Sequence, residues 1–432
     1  MLAAHSPSTV FPMTIDTESV RAGFPALSRT LGGEQVAYLD GPGGTQAHKS
    51  VIEAMAGFMT RGGSNLHGPF ATSRETDAVV RGAREAVADL FGSRSDEIVF
   101  GQNMTSLTYS LSRALSRTWN AGDNIVLTRL DHDANVSPWM QAADGVGAAV
   151  RFVDFDPQSG CDLDLASLDE ALDERTRLVA FTNASNAVGT ITPAADIVER
   201  AHQVGARTYL DAVHYAPHRP IDVTSTNTDF LVASAYKWFG PHTGCLFGTG
   251  DLLSEIDPYK LRPAPDQSPD RWETGTQSFE SLAGVTAAVD YIASLGNGAT
   301  RRDQIISAYG AIRVHEEMLA ERFLFGIEAM PGVALFGRKT AMSRTPTFAI
   351  DIDGISPEDT ARRLGDQGCF VWSGDYYAYE VMHRLNRADR GLVRIGFAHY
   401  NTMAEVDRVL SMIEALASRT RAVKSRGMRP VV

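Results

Sequence analysis

The chain has 432 residues, of which 44% are hydrophobic and 21% charged, a composition that is typical of a soluble globular protein and excludes wholesale disorder. Its 40 basic and 52 acidic side chains give a net charge of −12, which argues against nucleic acid or an anionic membrane surface as partners, because both need a basic field. The three cysteines, Cys161, Cys245 and Cys369, are too few and too dispersed for a disulfide framework or a zinc site, and no metal site is expected.

The elements predicted from hydrophobic periodicity begin after a loose tail, residues 1–20, which shows neither periodicity nor the features of a secretory signal. The first strong helix pattern covers residues 74–91, with its apolar side chains on one face. Short apolar runs then alternate with amphipathic stretches, and this alternation predicts a mainly parallel sheet whose strands are joined by crossover helices. The predicted strands are 97–100, 124–128, 150–155, 177–182, 207–211, 230–233 and 245–248. No apolar run is long enough to cross a membrane, which together with the scarce cysteines predicts a cytoplasmic protein.

The pattern changes near residue 290. A long helix is predicted at 301–327, then several strand-like segments, and a final helix at 403–417. The strand-like segments are 347–352, 369–372 and 392–397. We therefore predict a large α/β domain at residues 21–290 and a smaller α+β domain at residues 291–432. About the first 20 residues of the large domain could instead pack with the smaller one.

Polar side chains follow five of the predicted strands, at the points where the strands end. They are Asn103, Thr105 and Ser106, then Asp131, His132 and Asp133, then Asn183 and Asn186, then Asp211 and His214, and finally Ser234, Tyr236 and Lys237. In open α/β sheets, ligands bind beyond the carboxyl ends of the strands. The placement of these residues therefore predicts one functional site at this edge of the sheet.

Lys237 is the candidate nucleophile of that site. It is followed by Trp238 and Phe239, and an apolar neighbourhood of this kind lowers the pKa of a lysine and favours Schiff-base chemistry with a carbonyl cofactor. Asp211 could supply the carboxylate that pyridoxal phosphate needs beside its pyridine nitrogen, and the helix start at Thr105 offers free backbone N–H groups for a phosphate. Taken singly, each residue also fits a plainer role, as a surface lysine, a loop carboxylate or a helix cap.

Five segments of the chain match one family, and they occur in that family's order. The segments are 38–46, 131–139, 234–244, 273–276 and 393–402. They resemble the class V aminotransferases, the cysteine desulfurase-like branch of fold-type I pyridoxal phosphate enzymes, and the resemblance extends over residues 24–417. It implies a seven-stranded mainly parallel sheet in the large domain, a small-molecule amino-acid substrate, and a homodimer with shared active sites.

The resemblance also implies a role for each matched residue. Lys237 would hold pyridoxal phosphate and move the Cα proton, Asp211 would pair with the pyridine nitrogen, and His214, a group able to titrate near neutrality, would lie near the phenolic oxygen. The phosphate would be bound by Ser234, Tyr236, Met104 and Thr105, with Thr276 reaching the phosphate of the neighbouring subunit. The substrate carboxylate would be held by Asn186, also a cofactor contact, and by Arg394, beside the backbone of Gly43 and Gly44.

Two departures from the family pattern bear on the reaction. Where many relatives have a histidine that stacks on the cofactor ring, this chain has Asp133, which is either a residue that tunes the reaction or the sign of a one-residue shift in the match. The loop that carries the attacking cysteine of desulfurases matches residues 372–378, which contain no cysteine, and Cys369 upstream is expected to be a small buried residue. Because attack on sulfur needs an exposed, mobile thiol, a desulfurase mechanism is not favoured.

The same loop and the residue after it carry four aromatic side chains, Trp372, Tyr376, Tyr377 and Tyr379, which either pack the domain interface or form a wall for a substrate bulkier than cysteine. The first hypothesis is therefore a carbon–sulfur β-lyase that acts on an L-cysteine S-conjugate. Decarboxylation-linked oxidation of such a conjugate is one alternative, and an aminotransferase or epimerase of the same family is another. A cysteine desulfurase ranks below these. A cofactor-free scaffold relative stands as the non-enzyme alternative, and Lys237, Asp211 and Arg394 count against it.

Overall fold

The computed structural model of the chain describes residues 15–427, with side chains for residues 15–419. The predicted loose tail, residues 1–20, lies mostly outside the described residues, and its last residues begin a helix, Thr17–Ala22. The strands are β1 Thr30–Leu31, β2 Glu34–Gln35, β3 Ala37–Tyr38, β4 Ile98–Gly101, β5 Asn124–Thr128, β6 Ala149–Val153, β7 Phe155–Asp156, β8 Asp162–Leu163, β9 Thr176–Thr182, β10 Arg207–Asp211, β11 Phe230–Ser234, β12 Gly244–Gly248, β13 Val333–Phe336, β14 Thr347–Ile352, β15 Cys369–Phe370, β16 Trp372–Gly374 and β17 Leu392–Gly396. The helices are α1 Thr17–Ala22, α2 Lys49–Arg61, α3 Ala71–Phe91, α4 Met104–Ser116, α5 Ser137–Asp144, α6 Leu165–Ala171, α7 Ala194–Gln203, α8 Val223–Thr226, α9 Gly250–Glu255, α10 Phe279–Ser294, α11 Arg301–Glu328, α12 Pro357–Gly365, α13 Tyr379–Arg384 and α14 Met403–Gly427.

Seven strands form the central sheet, in the order β4-β12-β11-β10-β9-β5-β6. The pairs β11–β10, β10–β9, β9–β5 and β5–β6 are parallel, whereas β12 runs antiparallel to both of its neighbours. The predicted α/β fold with a seven-stranded mainly parallel sheet is therefore confirmed. Parallel strands need crossover connections, which explains why helices alternate with strands along this part of the chain.

Apolar side chains cover both faces of this sheet. In β5 the neighbouring residues Val126 and Leu127 belong to two different clusters of buried residues, because successive side chains of a strand point to opposite faces. Every residue of β5, β11 and β12 is buried, as expected for strands that have helices on both sides. The two-sided core leaves the strand ends as the place where polar groups can lie.

The C-terminal part of the chain has a four-stranded antiparallel sheet, in the order β13-β14-β17-β16. Its inner face packs against α11 and α14 through a third apolar cluster, which includes Phe323, Phe348, Ile395 and Leu410. The short strand β3 pairs in parallel with β15, so the N-terminal segment lies against the C-terminal part of the chain. This pairing brings the turn that follows β3 next to β17. No helix of residues 15–427 is long and apolar enough to cross a membrane.

Candidate active site

Lys237 lies in a single 3₁₀ turn that follows β11, at the edge of the sheet. The side chains of Trp238 and Phe239, which come next, are fully buried. Burial and the positive charge of Arg394 lower the pKa of Lys237 to about 7, and its Nζ donates a hydrogen bond to the carbonyl oxygen of Pro42. A substantial fraction of this amine is therefore neutral, and nucleophilic, near pH 7.

Two adjoining cavities meet at Lys237, an inner one of about 60 Å³ and an outer one of about 730 Å³. They share four lining residues, His132, Asn186, Tyr236 and Lys237. The predicted residues that line only the inner cavity are Met104, Thr105, Asp211 and His214. Those that line only the outer cavity are Gly43, Gly44, Trp372, Tyr377 and Arg394. The structure thus brings together residues that lie up to about 350 positions apart in the chain.

Asp211, the last residue of β10, is the carboxylate of the inner cavity. Its Oδ1 accepts a hydrogen bond of 2.8 Å from the backbone N–H of Val213, and burial raises its pKa to about 6. Asp131 lies close enough for its charge to interact with that of Asp211, and burial raises the pKa of Asp131 well above its usual value. Asn135 Nδ2 donates to Asp131 at 2.6 Å. A cationic ring nitrogen beside Asp211 would offset the desolvation of its carboxylate.

His214 also lines the inner cavity and does not titrate near neutrality, contrary to expectation. Its Nε2 is 3.1 Å from Thr345 Oγ1 and 3.0 Å from Thr347 Oγ1, and the side chain is buried. Burial lowers the pKa of His214 well below its usual value, and the nearby His218 lowers it further. The ring is therefore neutral over the physiological pH range and acts as a hydrogen-bonding group rather than a switch.

The N-terminus of α4 faces the inner cavity. Asn103 caps the helix, because its side chain accepts a 2.9 Å hydrogen bond from the N–H of Ser106. The N–H of Met104 donates to Ser234 Oγ at 3.0 Å, which ties the helix start to the end of β11. With Thr105 lining the cavity, this end of the helix offers the backbone N–H of Thr105 and a positive dipole end to a phosphate.

His132 lines both cavities, whereas Asp133, the residue expected to contact the cofactor, lines neither of them, as the one-residue shift in the match would predict. His132 Nδ1 caps a short 3₁₀ turn by accepting a 3.0 Å hydrogen bond from the N–H of Ala134, and this turn directs Asp133 away from the cavity. The carboxylate of Asp133 instead accepts a 2.7 Å hydrogen bond from Ser137 Oγ. Burial and the charge of Lys237 lower the pKa of His132 to about 4, so its ring is neutral and available for stacking.

Arg394 and Asn186 carry unpaired polar atoms on the wall of the outer cavity. Arg394 Nη1 donates to the backbone oxygen of Asn186 at 3.0 Å, and the guanidinium carbon lies 4.4 Å from the centre of the Tyr376 ring. Arg394 Nε and Asn186 Oδ1 are buried and have no hydrogen-bond partner among the described residues. Burial lowers the pKa of Arg394 to about 10, so it stays protonated at neutral pH. These atoms fit a substrate carboxylate and a polar ligand group.

The remaining predicted residues differ in their placement. The backbone of Gly43 passes close to Arg394, since a Cβ at this glycine would lie 3.5 Å from Arg394 Nη2. Trp372 and Tyr377 lie at the mouth of the outer cavity and are 55% and 72% exposed. Thr276 lies in an exposed loop and lines neither cavity of its own chain.

Two residues, Asp40 and Tyr376, have places in the site that the sequence did not predict. Asp40 lines the outer cavity, and its buried Oδ1 has no partner within the described part of the chain. The sequence did carry a signal for Asp40, since it lies in the first of the family-like segments, close to Gly43 and Gly44. Tyr376 lies under Arg394, and nothing in the local sequence distinguishes it from its aromatic neighbours.

The residues of the inner cavity fit pyridoxal phosphate. A lysine amine, the Asp211 carboxylate, the α4 N-terminus and the unpaired Asn186 Oδ1 surround one space, and each matches a functional group of that cofactor. Among residues 15–419, no group of histidine, cysteine, aspartate and glutamate side chains is arranged to hold a metal ion.

Comparison with known proteins agrees with this geometry. A family model described as Aminotransferase class-V matches residues 37–409. The chain is 32% identical to the protein named Probable cysteine desulfurase 2 of Mycobacterium leprae (strain TN), over 93% of this chain and 97% of that protein. It is similar to the apo structure of cysteine desulfurase from Thermococcus onnurineus NA1, with a TM-score of 0.85, 26% identity, and coverage of 94% of this chain and 99% of that chain. A structure with glycine covalently linked to the PLP cofactor shares the fold, with a TM-score of 0.75 at 21% identity over 91% of this chain and 98% of that chain.

Proposed function

The chain belongs to the class V aminotransferase family of pyridoxal phosphate enzymes, and from this premise we propose that it is a carbon–sulfur β-lyase acting on an L-cysteine S-conjugate. The bound cofactor supplies an electron sink that makes the Cα proton of an amino acid acidic. The overall reaction converts the conjugate and one water into a thiol, pyruvate and ammonium. The bond between Cβ and sulfur breaks with its electron pair leaving on sulfur, so no oxidant or reductant is needed.

The chain's own residues divide this work between the two cavities. Lys237, Asp211 and the α4 N-terminus would hold the cofactor, with the neutral ring of His132 against it. Arg394, on the wall of the outer cavity, would bind and orient the substrate carboxylate, with the second N–H of the Asn186 side-chain amide as a further donor. The Lys237 amine, with a pKa of about 7, accepts the Cα proton and can return a proton to the leaving sulfur.

The state of the cysteines is the observation that carries the choice of reaction. The chain has three, and all are fully buried: Cys161 near β7, Cys245 in β12 and Cys369 in β15. Burial raises the pKa of Cys161 to about 12 and that of Cys369 to about 11, so neither thiol ionises at neutral pH. None of the three lines either cavity. The apparatus for removing the Cα proton is present without a thiolate to receive sulfur.

The mouth of the outer cavity supports a substrate larger than cysteine. Ile52, Met55, Trp372 and Tyr377 line it, and together they offer an apolar and aromatic wall beyond Arg394. A large S-substituent would lie against this wall while Arg394 holds the carboxylate.

Cysteine desulfurase is the second candidate, because the relatives from Mycobacterium leprae and Thermococcus onnurineus described above both carry that name. The two reactions differ in their products from L-cysteine. A β-lyase releases pyruvate, ammonium and sulfide, whereas a desulfurase leaves alanine and transfers sulfane sulfur to a thiol.

The experiment that tests the proposal incubates the holoenzyme with S-methyl-, S-benzyl- and S-glucosyl-L-cysteine and with L-cysteine, and measures pyruvate, thiol, alanine, sulfane sulfur and carbon dioxide. Equal amounts of pyruvate and thiol support the lyase. Alanine with sulfane sulfur from L-cysteine, retained in the Cys369→Ala variant, would contradict our reading of the cysteines. Release of carbon dioxide without thiol would favour decarboxylation-linked oxidation. Exchange of amino groups with a keto acid, without release of thiol or carbon dioxide, would favour an aminotransferase.

We further propose a cytoplasmic homodimer in which Thr276 of one subunit reaches the cofactor phosphate of the other. Thr276 lies in an exposed loop and lines neither cavity of its own chain, which supports a role toward a second copy. Mixing Lys237→Ala subunits with Thr276→Ala subunits tests the shared site, since a mixed dimer retains one intact site.

The boundary between the two proposed domains is moved slightly from its predicted position. Because α10 runs through residue 290, we place the proposed domain boundary in the segment 295–300, between α10 and α11.

A further inference from the structure

Tyr376 is buried although it lies in a surface loop, and its contacts are directed at Arg394. The side chain is 5% exposed, and its hydroxyl donates a hydrogen bond to the backbone oxygen of Leu392, two residues before Arg394 in β17. Its ring lies beneath the guanidinium of Arg394, with the guanidinium carbon 4.4 Å from the ring centre. At this distance a desolvated arginine and an aromatic ring attract each other strongly.

Arg394 has few other restraints. None of the ion pairs within residues 15–419 includes it, and its one hydrogen bond to protein is from Nη1 to the backbone oxygen of Asn186. Nε is buried without a partner among these residues. A carboxylate that oriented Arg394 would occupy the same N–H donors that a substrate carboxylate needs. A ring beneath the plane orients the guanidinium and leaves those donors free.

The loop that carries the ring is held in a conformation that side chains rarely adopt. Tyr376 and Tyr377 have φ values of 57° and 56°, in the left-handed region. Asn186 Nδ2 donates to the backbone oxygen of Tyr376 at 3.0 Å, and the N–H of Asp133 donates to that of Tyr377 at 2.6 Å. Both donors come from loops that also carry cavity residues, so the ring position depends on the rest of the site being formed.

We propose that Tyr376 is a positioning residue, whose ring holds the Arg394 guanidinium in the orientation that binds the substrate α-carboxylate. This inference rests on the part of the proposed function that assigns the carboxylate to Arg394, and not on the fate of the sulfur. It distinguishes Tyr376 from Trp372 and Tyr377, which lie at the exposed mouth of the cavity.

The test measures ligand affinity in the holoenzyme from the change in cofactor absorption as L-alanine or ethylamine is added. These two amines differ only in the carboxylate. Removing the ring with Tyr376→Leu is expected to weaken L-alanine binding by about tenfold and to change ethylamine binding by less than about twofold. With an S-conjugate that turns over, the same variant should raise KM by about tenfold and leave kcat nearly unchanged. Tyr379→Leu is the matched control, since Tyr379 is exposed in α13 and lines neither cavity.

A second series keeps the shape of the side chain and changes only the electrons of its ring. Tyr376→Phe is compared with the same site carrying phenylalanines of increasing fluorine content, which weakens the attraction to a cation step by step. L-Alanine affinity should fall along the series while ethylamine affinity stays constant. Equal loss for both ligands in Tyr376→Leu, or no trend along the fluorinated series, would overturn the proposal. If no S-conjugate is cleaved, the lyase proposal fails, while these binding results still decide the role of Tyr376.

Discussion

Lys237 is a partly buried amine that loses hydration on folding, and its protonated form should therefore cost the protein stability that a neutral residue would restore. Its pKa falls from the usual 10.5 to about 7 on folding, which corresponds to as much as about 5 kcal/mol while the amine is protonated, at about 1.4 kcal/mol per pH unit. The hydrogen bond to the Pro42 oxygen is lost when the lysine is replaced, so we expect Lys237→Met to stabilise the cofactor-free protein by roughly 2–4 kcal/mol at pH 6.

The sign of the pH dependence follows from the two pKa values. Below pH 7 the lysine is protonated in both the folded and the unfolded chain, so the full penalty is present. Between about 7 and 10.5 the unfolded chain binds more protons than the folded one, so the wild type gains stability with rising pH and the advantage of Lys237→Met shrinks. By pH 9 the advantage should be smaller by roughly 1–3 kcal/mol.

Urea unfolding of the two cofactor-free proteins at pH 6 and pH 9 measures these differences. Lys339→Met, at an exposed position, serves as the control and should change the free energy of unfolding by less than about 0.5 kcal/mol at either pH. A Lys237→Met variant that is less stable than the wild type at pH 6 would refute the reasoning. A gap that does not narrow at pH 9 would refute it equally.

Three further predictions concern single side chains. Asp211→Asn removes the carboxylate from the inner cavity, and kcat should fall by about a hundredfold or more, with a shifted cofactor absorption band, while Asp133→Asn leaves both nearly unchanged. Arg394→Lys keeps the charge but loses the fork, so KM for an S-conjugate should rise at least about tenfold; an unchanged KM would place the carboxylate elsewhere. Cys369→Ala should leave kcat within about twofold and lower the free energy of unfolding by about 1 kcal/mol, and a loss of turnover would reveal a role for that thiol.

The central sheet could be predicted well because its strands are short, apolar and separated by amphipathic helices. The predicted strands 124–128 and 207–211 coincide with β5 and β10, and the helix pattern at 74–91 lies within α3. Helix α2 was not predicted, although its apolar residues recur at helical spacing, at positions 51, 52, 55, 58 and 59. Only part of this stripe is covered within the chain, since Val51 and Phe58 are buried whereas Ile52 and Met59 are exposed.

Long-range pairing explains what could not be predicted in the C-terminal part. The strand-like run 369–372 proved to be two strands in different sheets, because Cys369 and Phe370 pair with β3 whereas Trp372 begins the strand that pairs with β17. A continuous apolar run has the same sequence pattern whether it pairs with one neighbouring strand or is divided between two.

The residues of the site divide in the same way, into those that the local sequence predicts and those that depend on contacts between distant parts of the chain. Lys237 and Asp211 could be found because parallel strands bring their carboxyl ends to one edge, and that topology can be read from the sequence. That His132 rather than Asp133 lines the cavities depends on a single 3₁₀ turn, which decides which of the two adjacent side chains faces them. The sequence pattern does not determine this turn. The contact between Tyr376 and Arg394 joins a loop to a strand through packing alone, and no local pattern encodes it.

The burial of all three thiols also has a consequence for how the enzyme tolerates its surroundings. An enzyme that works through an exposed thiolate is lost when that group is alkylated or oxidised. Here Cys161, Cys245 and Cys369 are shielded inside sheets and turns, and the groups that face the substrate are an amine, a guanidinium, imidazoles and carboxylates. If the proposed lyase reaction is correct, iodoacetamide and air should therefore leave turnover intact, and turnover should need no added reductant.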